Sequence, residues 1–261
     1  MPWLLAVLLS GLLPQLPSAF TRAARPATPD ADLPRVYSPH HVRTAYPVWI
    51  DARNLLGADG KPDGRNYRDA RDLRSLTQLL QTPPDDGCVA VKEVFLSVAE
   101  PPKRATIEEA VAGAELVLLG TVKGTAYGFS GTVPGQLLRI VPDQLLAGQA
   151  HTVSAYYAFV PVGTFLVGRT KVCKTDARYP EPPLPGEQVV LFVPRLGDPD
   201  SSEPFLDLFD DGGIVTIHSD AGVDLPARYK EPESGPPVRT KAELLARIRA
   251  AAAAPAAPNP S

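Results

Sequence analysis

The sequence predicts a mainly β protein of the α+β class: an antiparallel β-barrel with a short helix ahead of it, a C-terminal helix and an irregular proline-rich N-terminal arm. Segments rich in β-branched and aromatic residues recur at intervals of roughly 10 to 25 residues between positions 88 and 219. Gly, Pro and Asp fill the turns between most of them, which argues against βαβ units and for an antiparallel sheet closing on itself. Helical spacing of apolar residues is confined to three stretches.

In chain order, MPWLLAVLLSGLLPQLPSAF carries an apolar run from Trp3 to Leu13. That run is too short to span a bilayer and is followed by prolines and small residues, as in a secretory signal peptide over 1–19. Ser18, Ala19 and Ala23 are candidate last residues of the peptide. The run has no Lys or Arg before it, and no Cys follows it to take a lipid. Residues 20–47 hold five prolines and no sustained apolar period, so an extended arm is expected there. A region of one helix and one strand follows over 48–103. NYRDARDLRSLTQLLQT places Leu73, Leu76 and Leu80 on one helical face and stops at Pro83 and Pro84. CVAVKEVFLSV, 88 to 98, reads as a strand.

The barrel domain is expected over 104–253. TIEEAVAGA opens with Thr106 and Glu109 at capping-box spacing and sets Ile107, Val111 and Ala114 on one face. ELVLLGTVKGTAYGF is a strand in which Gly120 and Gly124 signal bulges or tight curvature. Strands follow at QLLRIVPDQLL (136–146), HTVSAYYAFV (151–160), TFLVGRTKVC (164–173), EQVVLFVPR (187–195) and GIVTIHS (213–219). TKAELLARIRAAAA repeats the capping box with Thr240 and Glu243, and Leu244, Leu245 and Ile248 form an apolar stripe to lie on the barrel. Residues 254–261 form a frayed tail.

The order TIEEAVAGAELVLLGTV, a strand pair ending LLAG, PGEQVVLFV, a glycine-rich strand and the TKAELLARIR helix resembles a group of uncharacterised exported bacterial β-barrel domains of OB-like shape. The resemblance covers residues 104 to 250. It implies an OB-like barrel and an exported location, and it carries over no catalytic residues.

Net charge is −3, and no face concentrates Lys or Arg, so the electrostatic footprint of a nucleic-acid binder is absent. Past residue 20 no apolar run reaches membrane-spanning length, so no span is expected after processing. Arginine outnumbers lysine 18 to 8 and alanine and proline abound, a composition like that of GC-rich bacterial genes.

The chain has two cysteines, Cys88 and Cys173. Lys171 and Lys174 flank Cys173 and would favour a thiolate nucleophile, but no histidine stands in a motif that supplies its base. In an oxidising compartment two cysteines invite one disulfide, so Cys88–Cys173 is the preferred reading over free thiols or a nucleophile. GADGKPDGRNYRDARDL has the acidic, glycine-punctuated look of a calcium loop. With Asp59 in position one and Asp63 and Gly64 in positions five and six, Lys61 stands at an oxygen-ligand position and Ala70 at the terminal carboxylate, so two β-turns are expected instead. His40, His41 and His151 lack metal-ligand spacing. His218 beside Asp220 reads as a strand end, or as an acid/base pair if a nucleophile is near. YPEPPLPGE is a stiff connector, with Arg178 and Tyr179 at its start as an exposed surface.

No catalytic, cofactor or metal residues are assigned. The expectation is an exported, periplasmic or extracellular, non-enzymatic β-barrel protein that binds a protein or glycan partner. The alternative is a hydrolase or thiol enzyme using Cys173 or His218 and Asp220.

Overall fold

A computed structural model of the chain describes residues 33, 36–37, 49–64, 70–81, 87–90, 106–131, 133–149, 153–174, 182–196, 206–207, 213–226, 229 and 237–254. Its spine is an antiparallel pair of long strands, β4 (Leu116–Ser130) and β5 (Val133–Gly148). On the outer edge of β5 lies β6 (Tyr156–Val160). The other edge of β4 is shared. Its first part pairs with β9 (Gln188–Val193), which leads to β12 (Ile214–Ile217) and β13 (Val223–Asp224). Its last part pairs with β2 (Trp49–Asp51), which leads to β1 (Val36–Tyr37). Between β9 and β12 in the chain, β10 (Arg195–Leu196) and β11 (Leu206–Asp207) pair with each other as a separate antiparallel ribbon.

The near-continuous apolar runs VLL, VVLFV and IVTI have a simple cause: both faces of this sheet are covered. Leu116, Leu118, Leu191, Val193, Leu138 and Ile140 share one face and a common core. Val117, Leu119, Val190, Phe192 and Val215 point to the other face, beneath α2 (Ile107–Gly113) and α3 (Lys241–Ala253). Towards the far end of β4, α1 (Ala70–Gln81) brings Leu76 against Phe129 and Ile50, and Trp49 packs with Leu137 and Phe159.

The expected bulges are present. Register shifts fall between Leu119 and Gly120 and between Val122 and Gly124. A Cβ on Gly120 would stand 2.6 Å from Ile140 Cγ2, so a larger residue there would displace β5. At Gly128 an added Cβ would run into the Ile50 carbonyl oxygen, which sets how closely β2 approaches β4.

Three features differ from expectation. Among the described residues no pairing closes the sheet into a barrel; the order runs open from β6 through β5 and β4 to β13. TFLVGRTKVC is not one strand but a hairpin of β7 (Gly163–Val167) and β8 (Thr170–Lys174). Gly168 has φ +59° at the first turn position, the requirement of a type II′ turn, and Arg169 completes it. Two strand halves of similar composition conceal such a turn. Within the stretch expected to be an arm, Leu33 is buried against Trp49, and Val36 and Tyr37 pair with Ile50 and Trp49. Single apolar residues suffice for that docking and leave no periodicity to read. Of the 88–98 strand, the described part is β3 (Val89–Ala90), parallel to β8.

Both capping boxes form. Glu109 N–H donates to Thr106 Oγ1 at 3.1 Å and Thr106 N–H to Glu109 Oε2 at 2.8 Å. At α3, Glu243 N–H donates to Thr240 Oγ1 at 3.3 Å and Thr240 N–H to Glu243 Oε2 at 2.9 Å. The two helices are joined by Arg247, whose Nε and Nη2 donate to the two oxygens of Glu108 at 2.6 and 2.9 Å.

That bidentate contact, ahead of all other causes, holds the Glu108 carboxyl below the usual carboxylate range. A depressed folded-state pKa contributes stability above the unfolded pKa and loses it as pH falls through the folded value. The pair is half-exposed, so Arg247→Ala is expected to cost only about 0.2–1 kcal/mol at pH 7. Urea unfolding should show that difference shrinking as pH falls from the usual carboxylate range through the lowered folded-state pKa of Glu108. A difference that persists undiminished there would assign the loss to the arginine stem's packing.

Candidate functional site

The site grows from one row of cross-strand neighbours. Thr121 on β4 is opposite Gln188 on β9, and Gln188 is opposite Ile217 on β12. Period-2 alternation therefore puts all three on the face that α3 covers. The start of α3 is pinned beside this row by the turn after β12. Lys241 N–H donates to the Ala221 carbonyl at 2.9 Å and Val223 N–H to the Arg239 carbonyl at 3.0 Å. The turn is tight: Ala221 adopts φ 65°, and its N–H donates to the His218 carbonyl at 2.9 Å. Between this turn, the start of β9 and the first residue of α3 lies a half-open cleft of about 400 Å³.

Its polar side chains are tied to one another. Lys241 Nζ donates to Gln188 Oε1 at 2.6 Å, and Gln188 Nε2 donates to Asp143 Oδ2 at 3.0 Å. The same oxygen accepts from Thr121 Oγ1 at 2.7 Å. Asp143 gets there through a β-bulge. Leu119 pairs with Gln144 and Gly120 with Pro142, so Asp143 is the extra residue on β5. A bulge re-aims a side chain that strict alternation would place elsewhere. One register step beyond, Glu187 is 9% exposed; its Oε2 accepts from Leu184 N–H at 2.8 Å, and its Oε1 lies 3.6 Å from His218 Nδ1.

Sequence reasoning singled out His218, and the structure places it on this cleft. Its carboxylate neighbour is Glu187 rather than Asp220. Asp220 Oδ1 instead accepts Gly222 N–H at 2.9 Å within the turn. Cys88 and Cys173 form a disulfide with α-carbons 6.0 Å apart. Cys173 thus holds no thiol for the nucleophile that Lys171 and Lys174 suggested. Lys171 pairs with exposed Leu166, and Lys174, opposite Gly163, is buried. Asp59 Oδ1 accepts Lys61 N–H at 3.1 Å, and Gly60 N–H donates to the Gly57 carbonyl at 3.0 Å, so this loop is a turn in which Asp59 serves the backbone. His40, His41, His151, Arg178 and Tyr179 lie outside the described residues.

Thr121, Asp143, Glu187, Gln188 and Lys241 escaped sequence reasoning. Each is a single polar residue at a strand end, a bulge or a helix start, and only pairing register brings them together. Among the described residues no group of three or more His, Cys, Asp or Glu side chains is placed to hold a metal ion, and no helix is long and apolar enough to cross a membrane. No protein-family model matches the chain, and no curated protein is significantly similar to it.

Proposed function

We propose that this chain is an exported, non-enzymatic binding protein of the cell envelope or extracellular space, and that the cleft between β9, the 218–222 turn and α3 is its binding site. The observation that carries this reading is the bonding pattern of the cleft. Lys241, Gln188, Asp143 and Thr121 fix one another's orientation, which is how a recognition surface is preorganised. Asp143 Oδ2 holds the Thr121 hydroxyl and the Gln188 amide together, which supports a role for this carboxylate in fixing the cleft's polar groups. The disulfide supports export, because such bonds persist in oxidising compartments. The apolar N-terminal run supports a signal peptide.

Mature protein sedimented with envelopes of the cells that secrete it is expected to be retained, with its mass beginning between residues 19 and 24. Gln188→Ala and Lys241→Met should release it, and the envelope material should be chemically unchanged by mass spectrometry. Failure to co-sediment, or retention indifferent to both substitutions, would refute the cleft as the binding site. Cleaved envelope fragments would restore the hydrolase alternative.

A further inference from the structure

Resting on that reading of the cleft, we infer that its ligand is a neutral polyhydroxylated molecule, a saccharide unit, held through vicinal hydroxyls by Lys241, Gln188, Thr121 and Ser219. The argument starts from hydrogen-bonding capacity left over after the internal network is counted. An ammonium has three donors, and Lys241 spends one on Gln188 Oε1. The Gln188 amide has two N–H donors and spends one on Asp143, and its carbonyl oxygen keeps a second lone pair. Thr121 donates its hydroxyl proton to Asp143 and so can only accept from a ligand. Ser219, exposed on the rim of the same cleft, has a hydroxyl that both donates and accepts. Donors and acceptors therefore stand side by side within one cleft.

A hydroxyl donates and accepts at once, so adjacent hydroxyls match that arrangement. Charge decides against the alternatives. Glu187 lines the cleft with the His218 imidazole beside it, and Asp143 accepts from Gln188, so among the described residues two carboxylates stand near the Lys241 ammonium and the field does not favour an anion. A metal ion meets the Lys241 ammonium among these oxygens, and among the described residues no group of three or more His, Cys, Asp or Glu side chains is placed to hold one. An apolar ligand would strip water from Lys241, Gln188 and Thr121 without replacing it. The volume of about 400 Å³ sits within the range of small-molecule sites and suits one or two sugar rings.

The test is an NMR titration of the mature protein with cellobiose, maltose and N,N′-diacetylchitobiose, with inorganic phosphate and glycine as charged comparators. At least one of the three sugars should shift the amides of Gly186, Gln188 and Ser219 in a saturable way and displace the protein from envelopes. Gln188→Ala should weaken that binding by about tenfold or more, since it removes a donor and an acceptor together. Lys241→Met, at the first residue of α3 and outside the sheet, provides the same reading if Gln188→Ala disturbs folding. If phosphate or glycine shifts these amides and the sugars do not, or if the sugars shift nothing while envelopes are still retained through the cleft, the saccharide inference is wrong and the binding reading stands. If envelopes are not retained and the sugars shift nothing, both are wrong.

Discussion

Phe192→Ala is expected to lower the unfolding free energy by roughly 3 to 5 kcal/mol. Phe192 lies near the end of β9 with no solvent exposure. It faces Val117 across the β4 ladder, and its own N–H donates to the Gly213 carbonyl at 2.9 Å, ahead of β12. Its ring packs beneath the two helices with Leu244 and Ile248, and meets Tyr229 with centroids 5.7 Å apart at 45°. Truncation removes the ring's transfer free energy and leaves a cavity bounded by β4, β12 and both helices. Strands on both sides hold β9 in place, so the gap cannot collapse fully. Phe192→Leu, which keeps most of the volume, should cost less than about 1.5 kcal/mol. Guanidinium unfolding of both variants checks this. A loss below about 1 kcal/mol for the alanine variant would mean that the helices relax onto the sheet, and that their packing is looser than the burial indicates.

Removing the disulfide is expected to cost roughly 2 to 5 kcal/mol. The bond joins residues 85 apart, a span for which the chain-entropy argument gives about 4 to 5 kcal/mol. It also ties the described part of β3, Val89–Ala90, to β8, with which it pairs in parallel. Cys88 and Cys173 stand two register steps apart on the same face of these neighbouring strands, since Val89 pairs with Val172 and Ala90 with Cys173. Cys173→Ser, Cys88→Ser and the double variant should therefore lose the same stability as the wild type under reductant, with no further loss on adding reductant to the variants. Non-reducing peptide mapping should recover both cysteines in one linked fragment. Additive losses in the double variant would instead indicate that each side chain contributes by its own packing.

What could be read directly from the chain was whatever depends on a few neighbouring residues. Thr106 with Glu109 and Thr240 with Glu243 cap their helices because both partners lie within one turn. Gly120 and Gly124 both mark register shifts, and at Gly120 only a missing Cβ lets β5 approach so closely. The cysteine pair followed from a count of two and an expected oxidising compartment. The hairpin at Gly168 was hidden because its turn interrupts an apolar run by just two residues, and the missing closure of the barrel was hidden because strand patterning does not say which edges meet.

The cleft belongs wholly to tertiary structure. Thr121, Asp143, Gln188 and Lys241 converge from four elements, and the spacing between them carries no signal. Their meeting depends on the register of β4 with β9, on the single extra residue that turns Asp143 across β5, and on backbone bonds that seat α3 against the 218–222 turn. His218 shows the same division. Its nearness to Asp220 in sequence suggested a pair, yet the turn takes Asp220 for Gly222 N–H, and antiparallel pairing of β9 with β12 brings Glu187 to the imidazole. Local chemistry thus specifies where helices begin and strands bulge, whereas side chains on separate strands become neighbours only when the ladders lock into one register, because a shift of one residue would send each of them to the opposite face.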